Sequence, residues 1–281
     1  MTRISDAKII SNFISFQTTQ GSSDGTIKLY SQIVTKFSKW LEMNDGCLDS
    51  LTRLDIQNYV KYLSAKGLSA STIENKFAAI SSLAKSLDKT NILQNIRKPQ
   101  YRKNRNIAPK SLERNDRNKM LREIGRSLNL RTIAIAYFLL YTGLRVSELV
   151  ALNRQDIVLN ERSGTVVVRK GKGDIERKVP LPVEARIHLK NYLDSREDFK
   201  DPVFLSNYQK RISIRSVQRI LEKFYVHPHQ LRHTYCRELV CAGIDISTVA
   251  DLAGHADINV TRRYSKPSTI ELEDAIERAF S

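Results

Sequence analysis

The chain has 281 residues, which is long enough for about two domains with separate hydrophobic cores. It contains 46 lysines and arginines against 30 aspartates and glutamates, so its formal net charge is +16 and its pI is near 9.8. An excess of this size indicates a polyanionic partner, and nucleic acid is the most common one; a charge that only keeps the protein soluble, or an anionic membrane surface, would be the alternative explanation.

Several other function classes find no support in the sequence. Cys47, Cys236 and Cys241 form no CxxC pair and are interpreted as reduced thiols of a cytoplasmic protein. No apolar run is long enough for a signal peptide or a membrane span, so we expect no membrane partner. Neither GxxxxGKS nor GxxxxGKT occurs, and ATP is therefore not implied.

Residues 1–95 are predicted to form a helical domain. Apolar residues recur at helical spacing in SDAKIISNFISF, TIKLYSQIVTKFSKWLEM, LDIQNYVKYLSAKG and STIENKFAAISSLAKSL, which indicates about four helices. Thr52 and Asp55 resemble a capping pair at the start of the third helix, and Gly67 is placed to end it.

Residues 96–110 are predicted to be a basic linker, because they lack apolar periodicity and contain Pro99 and Pro109. Five cations crowd this segment without an acid among them: Arg97, Lys98, Arg102, Lys103 and Arg105. In a chain of this net charge we favour a strap along a phosphate backbone over a solvated charge run, and we therefore expect these five side chains to bind DNA.

Residues 111–281 predict a second, mixed domain. Helices are expected over LERNDRNKMLREI, over RTIAIAYFLLYT and, after Gly143, over LRVSELVALNRQDI, with Arg145 in its first turn. Strands TVVVR and ERKVPL flank KGKGDI, a hairpin turn with Lys172 at its tip. Helices then continue to an amphipathic tail helix. The predicted fold class is mainly α with a small β-sheet or hairpin in the C-terminal domain.

The polar residues of the second domain suit attack on a phosphodiester. Arg145 and Arg232 each offer a planar, permanently charged fork for phosphate oxygens. Tyr264 offers a phenol, which ionises near pH 10 unless cations favour the anion, and it follows two arginines. A phosphotyrosyl bond would conserve the energy of the cleaved linkage, so that religation needs no ATP. Taken alone, each of these residues is more simply explained as a surface or packing residue.

His229 and His233 lie four residues apart, a spacing that also occurs in zinc sites. The glutamate of an HExxH motif is missing, however, and the charge of Arg232 between the two histidines would repel a cation. We therefore expect no metal here, and we expect His233 to cap or pack.

Joined in order, the motifs resemble a known family. TGLRVSEL around Arg145, the GKG hairpin around Lys172, HQLRH, LAGH and TRRY are similar to the corresponding segments of tyrosine recombinases of the phage-integrase and Xer group. The resemblance extends over essentially the whole chain. It departs from the common pattern at Ala253, where the family often has leucine, and this change is expected to affect packing only.

The resemblance implies a role for each residue. Arg145 and Arg232 would clamp the scissile phosphate, Tyr264 would form a 3′-phosphotyrosyl bond, and Lys172 would protonate the leaving 5′-oxygen. His229 would assist proton transfer, His255 would bond the phosphate or position the nucleophile, and Glu148 would orient its neighbours. No metal and no other cofactor is implied.

The resemblance also implies an architecture. A core-binding, SAM-like helical domain (1–95), the linker (96–110) and a catalytic domain with a C-terminal exchange helix (111–281) would close as a clamp around duplex DNA, with four protomers on two duplexes. The overall size is closer to Xer and transposon-encoded resolving recombinases than to phage integrases, and among these the chain is most similar to the TnpI-type proteins that resolve cointegrates. Two other functions remain open: a type IB topoisomerase, and a non-catalytic DNA-binding regulator on the same fold.

Overall fold

The computed structural model describes residues 4–99, 110–169, 176–255, 257–264 and 277. The chain divides into two compact units, Met1–Lys103 and Asn104–Ser281, so the division falls within the predicted basic linker. Three of the linker cations, Arg102, Lys103 and Arg105, lie outside the described residues. No helix in the described part of the chain is both long and apolar enough to cross a membrane.

The first unit contains the four expected helices: α1 (Ile4–Thr19), α2 (Asp24–Glu42), α3 (Arg53–Ala65) and α4 (Ala70–Ser86), followed by a 3-10 turn (Thr90–Leu93). The predicted capping box at α3 is present. The Asp55 N–H donates to Thr52 Oγ1 at 3.3 Å, and the Thr52 N–H donates to Asp55 Oδ2 at 2.9 Å. These bonds satisfy donors that the first turn of a helix leaves unpaired.

The apolar stripes of these helices meet in one core. Phe13, Phe37, Leu41, Ile56 and Ile80 are all at most 1% exposed. Burying side chains of this size contributes roughly 1.5–3 kcal/mol each, which is why the helical spacing of the apolar residues decides the packing of this unit.

The second unit contains eight helices and three strands among its described residues. In chain order these are α5 (Arg114–Arg126), α6 (Leu130–Thr142), α7 (Val146–Ala151), β1 (Ile157–Leu159), β2 (Gly164–Val168), β3 (Arg177–Pro180), α8 (Val183–Asp194), α9 (Ile214–Glu222), α10 (Pro228–Cys241), α11 (Ile246–Ala253) and α12 (Ile258–Thr261). A 3-10 turn (Arg262–Tyr264) follows α12. The predicted fold class, mainly helical with a small sheet, is confirmed.

The sheet is antiparallel in the order β1-β2-β3. Val166 of β2 pairs with Ile157 on one side and with Val179 on the other. The two strands predicted to flank the hairpin turn, β2 and β3, pair with each other, but residues 170–175, including Lys172, lie outside the described residues. The predicted tail helix after Tyr264 also lies outside them, apart from Glu277.

One predicted helix was too long. The segment 144–157 was expected to be helical throughout, but α7 ends at Ala151. The Asn153 N–H then donates to Asp156 Oδ2 at 2.9 Å, which opens a short 3-10 turn (Arg154–Asp156), and Ile157 begins β1. The periodicity alone did not reveal that Ile157, the β-branched residue at the end of this segment, would pair with β2.

Helix α6 is the centre of the second unit. Nine of its 13 residues are buried, and it packs against α8 and α10. It ends at Gly143, which adopts the left-handed conformation with φ 62°. This sharp end places the next residues, including Arg145, beside α10, which carries Arg232.

Candidate active site

Arg145 lies at the start of α7, directly after the turn at Gly143. It is the N-cap residue of α7, in an extended conformation, one position before the first helical turn in which the sequence placed it. A Cβ at Gly143 would lie 2.2 Å from the Tyr235 ring of α10, so only glycine allows this approach. The motif TGLR thus brings the Arg145 guanidinium against α10 through a turn that needs glycine.

Glu148 is the buried anchor of the site, with 4% of its surface exposed. Its carboxylate accepts the Arg145 N–H at 2.8 Å and Arg145 Nη1 at 2.9 Å. It also accepts both Nη atoms of Arg177 at 2.8 and 2.9 Å. Burial alone would raise the pKa of Glu148, but the hydrogen bonds from Arg177 and Arg145 outweigh it and hold that pKa below its ordinary value.

Arg177 was missed by the sequence analysis. It opens β3 and joins Glu148 to α11, because its Nε donates to Leu252 O at 3.1 Å. A signal was available: residues i and i+2 of a strand share a face, so Arg177 lies on the side of the buried Val179. An inward-facing guanidinium requires a carboxylate partner, and Glu148 was the nearest acid already assigned to the site.

The LAGH motif closes the site from the other side. Gly254 ends α11 with φ 67°, and its carbonyl accepts Arg145 Nη2 at 2.6 Å. A Cβ at Gly254 would lie 2.7 Å from Arg177 Nη1. The glycine therefore lets the backbone approach two guanidiniums at once, which is the physical reason for a glycine before His255.

His255 is half-buried, and its Nδ1 lies 2.8 Å from Thr261 Oγ1 of α12. Burial, helped by the charges of Arg232 and Arg145, lowers its pKa to about 4. The imidazole is therefore neutral at pH 7, and the bond to Thr261 fixes its orientation.

Arg232 is 4% exposed and lies on α10. Its Nη1 donates to Gly143 O at 2.6 Å, which links it to the turn before Arg145. Its Nη2 is buried and has no hydrogen-bond partner among the described residues. Burial and the neighbouring charge of Arg145 lower the pKa of Arg232 to about 10, so it remains charged at pH 7.

Tyr264 ends the 3-10 turn after α12 and is half-buried against an apolar cluster that contains Cys236, Val249 and Ala253. Its phenol is hydrogen-bonded to His233 Nδ1. Burial raises the pKa of Tyr264 and outweighs the opposing effect of Arg232 and Arg263. In this conformation the phenol is neutral, so the basic neighbours expected to favour the anion do not prevail.

His229 and His233 lie one turn apart on α10, with ring centroids separated by 6.4 Å. His229 reaches the surface, and its pKa is lowered by partial burial and by the charge of Arg232. His233 does not act as a cap, since His227 caps α10 by accepting the Gln230 N–H at 3.2 Å. Within the described ranges, no group of three or more His, Cys, Asp or Glu side chains could hold a metal ion.

The structure thus brings Arg145, Glu148, Arg232 and His255 into one connected site, with Tyr264 attached to it through α10. His229 lies at its surface. The general acid proposed from the sequence, Lys172, lies outside the described residues, and its placement stays a prediction.

Two of the predicted DNA-binding residues of the linker are described. The Arg97 side chain is exposed, and its backbone N–H donates to Gln57 Oε1 at 2.8 Å. The Lys98 ammonium pairs with Glu74 at 2.9 Å and lies 4.2 Å from the centroid of the Phe77 ring. The exposed Arg97 side chain is therefore accessible to a phosphate, whereas Lys98 would have to exchange its ion pair with Glu74 for one.

Comparisons with known proteins define the class of this fold and site. The sequence profile of the phage integrase family matches residues 110–270, and that of the phage integrase N-terminal SAM-like domain matches residues 9–93. The chain therefore belongs to the phage integrase family and is a tyrosine site-specific recombinase of the Xer type.

Individual relatives match over most of their length. The chain is 31% identical to the tyrosine recombinase XerA of Pyrococcus furiosus, over 97% of this chain and 94% of that protein. It is 28% identical to the TnP I resolvase of Bacillus thuringiensis, over 96% of this chain and 99% of that protein. The crystal structure of the XerH site-specific recombinase bound to difH substrate superposes with a TM-score of 0.69, at 23% identity, over 89% of this chain and 78% of that one.

Proposed function

We propose that this recombinase cuts and rejoins duplex DNA at a specific core site through a 3′-phosphotyrosyl intermediate on Tyr264. The observation that carries the proposal is the buried Nη2 of Arg232, which lacks a partner within the described chain. An unpaired buried donor on a charged group is costly, and a phosphodiester oxygen would satisfy it. Gly143 O holds the other arm of the guanidinium, so Nη2 is fixed before substrate arrives.

Arg145 supplies the second fork. Glu148 and Gly254 O fix its guanidinium, which leaves its position independent of the substrate. Two preorganised cations stabilise the extra negative charge that develops on the phosphate in the transition state. In the same proposal Lys172 protonates the 5′-oxygen, His229 assists proton transfer at the surface of the site, and His255 bonds the phosphate or positions the nucleophile.

Duplex DNA is the proposed substrate. The net charge of +16 favours a polyanion, and the XerH structure, which shares this fold, contains its difH substrate. The domain division 1–95, 96–110 and 111–281 is part of the proposal, with Arg97, Lys98, Arg102, Lys103 and Arg105 as backbone contacts of the linker.

We further propose that four protomers act on two duplexes and that residues after Pro267 form the exchange helix between them. The match to a TnP I resolvase supports a role in resolving cointegrates or multimers. A chain truncated after Pro267 should bind a single site but lose cooperative assembly on paired sites in a gel-shift titration. Unchanged cooperativity would contradict this part of the proposal.

The chemistry is tested by trapping the covalent intermediate. The Tyr264→Phe variant first selects binding sites from a randomised duplex library. The selected site is then built into a duplex nicked a few nucleotides 3′ of the scissile phosphate, so that the short 5′-hydroxyl strand diffuses away after cleavage. We expect wild type to form a protein–DNA adduct on a denaturing gel, with or without a chelator.

The control is Tyr264→Phe itself, which should bind the same DNA and form no adduct. If wild type bound the DNA but formed no more adduct than Tyr264→Phe, the result would contradict the proposal and favour a non-catalytic regulator. Adduct formation accompanied by relaxation of supercoiled DNA without a specific site, and without pairing of two duplexes, would favour a type IB topoisomerase instead.

A further inference from the structure

His233 contacts the reacting atom of the proposed nucleophile. Its Nδ1 is hydrogen-bonded to Tyr264 Oη, and the two ring centroids lie 5.8 Å apart. The bond joins α10 to the 3-10 turn (Arg262–Tyr264), across 31 residues of sequence. None of the roles assigned above to the arginines, His229, His255 or Lys172 explains it.

We propose that His233 is the general base of DNA cleavage, accepting the phenolic proton of Tyr264 as Oη attacks phosphorus. This inference rests on the proposed function, because it requires Tyr264 to be the nucleophile. It assigns the proton acceptor to His233 and leaves His229, whose ring centroid lies one helical turn away at 6.4 Å, to another step.

The protonation states of the pair suit this role. Burial raises the pKa of Tyr264, so its phenol carries a proton to donate. Burial lowers the pKa of His233 to about 4, with further contributions from His229, Arg232, His227 and Arg263, so its imidazole is neutral and can accept. The Nδ1 acceptor implies that Nε2 carries the ring proton.

Substrate would make His233 a stronger base. Arg232 is one of the charges that lower the pKa of His233. A phosphodiester bound to Arg232 would neutralise part of that charge, which raises the affinity of the imidazole for a proton. The groups that face the pair are His229, Arg232 and Cys236 from α10, His227 at its N-cap, and Arg263 from the adjoining turn.

The step balances without any additional reagent. The Oη–H bond breaks and its proton moves to His233 Nδ1, while Oη forms a bond to phosphorus and the bond from phosphorus to the 5′-oxygen breaks. The leaving oxygen takes a proton from the general acid. Religation reverses every transfer, and the imidazolium returns its proton to Oη.

The test uses His233→Asn, whose amide oxygen can still accept the phenol hydrogen bond but cannot hold the proton. In single-turnover reactions on the nicked duplex, we expect DNA binding to be unchanged and adduct formation to slow by about 10²–10⁴-fold, the range of general base catalysis. The matched control is His188→Asn on α8, outside the site, which should cleave at the wild-type rate.

A second substrate separates the base from the acid. A bridging 5′-phosphorothiolate has a thiolate leaving group, which needs no proton because thiols ionise near pH 8.5. We expect it to restore cleavage to a variant that lacks the general acid, but not to His233→Asn. Free imidazole should speed His233→Ala and not His188→Asn.

Three outcomes would overturn the inference. These are a wild-type rate for His233→Asn, full rescue of that variant by the phosphorothiolate, or a His233→Ala defect that imidazole does not reduce while the protein still folds and binds DNA. A wild-type protein that forms no adduct at all would instead overturn the proposed function, so the two failures are distinguishable.

Discussion

Arg232 is a buried cation whose second arm has no partner in the described chain, which predicts a large effect of its removal on activity and a small one on stability. Removing it should slow adduct formation by about 10³-fold, because one preorganised donor to a developing oxyanion contributes about 10²–10³ and this one is also a charge. Removing a buried, incompletely paired charge offsets the loss of its bond to Gly143 O, so stability should change little. Single-turnover cleavage measures the rate of adduct formation by Arg232→Ala, and thermal unfolding measures its stability.

Arg196 provides the matched control, since its side chain is 6% exposed and its donors are used. It bonds Asp198 through Nε at 2.9 Å and donates Nη1 to Pro202 O and Val203 O at 2.8 and 2.7 Å. Arg196→Ala should lower the melting temperature, because these acceptors lose their partners, while the folded fraction cleaves normally. A fall in melting temperature for Arg232→Ala as large as that for Arg196→Ala would argue that Nη2 of Arg232 has a partner in the free protein.

The two half-buried histidines predict acid sensitivity. The pKa values of His233 and His255 fall from the ordinary 6.5 to about 4 on folding. Between these values the unfolded chain binds more protons than the folded one, so stability should decline as pH falls from about 6.5 towards 4. Part of this pH dependence of stability comes from His255, which faces Arg232, Arg145, His233 and Arg177.

The His255→Gln variant should therefore lose stability less steeply over that pH range than wild type. Urea unfolding at pH 7.5, 6.5 and 5.5 measures the difference. Parallel slopes for the two proteins would mean that His255 is as easily protonated in the folded state as in the unfolded chain.

The junction between α6 and α7 predicts a different kind of failure. Gly143→Ala forces a Cβ into the left-handed conformation and onto the Tyr235 ring, 2.2 Å away. Left-handed strain of roughly 1–2 kcal/mol adds to overpacking of roughly 1–3 kcal/mol, so the variant should lose about 2–5 kcal/mol. It should also lose cleavage beyond the unfolded fraction, because Gly143 O holds Arg232.

A substitution at Gly67 provides the control that separates left-handed backbone strain from steric overlap with Tyr235. Its φ is 71°, but a Cβ there would have no neighbour within 4 Å. Gly67→Ala should cost only about 1–2 kcal/mol and leave cleavage intact. Equal losses of stability in the two variants, measured by urea unfolding, would show that Tyr235 moves aside at little cost.

An element could be predicted from the sequence when the contacts that define it join residues close together in the chain. Helix α3 was predictable because its cap, Thr52 with Asp55, lies within four residues of its start. Helix α7 was predicted too long because its end depends on the pairing of Ile157 with Val166, which periodicity does not contain.

The same distinction applies to the site. Arg145 and Arg232 were named because their local motifs resemble a family. The contacts of Arg177 with Glu148, and of His233 with Tyr264, span 29 and 31 residues and depend on packing that the sequence alone did not reveal. His233 was expected to cap or pack, and only its contact with Oη indicates chemistry.

The contacts within a single chain predict that each protomer cleaves DNA with its own tyrosine. The Tyr264 phenol is bonded to His233 of the same chain, on the helix that also carries Arg232. A site therefore needs Arg232 and Tyr264 from one protomer. A mixture of Arg232→Ala and Tyr264→Phe proteins should form no more adduct than either variant alone, measured on the nicked duplex at concentrations that support assembly. In the control, Tyr264→Phe is mixed with size-tagged wild type. All of the labelled DNA should then be attached to the tagged chain. Recovery of adduct in the first mixture would mean that a neighbouring protomer donates the nucleophile, and that the bond to His233 is broken when the complex assembles.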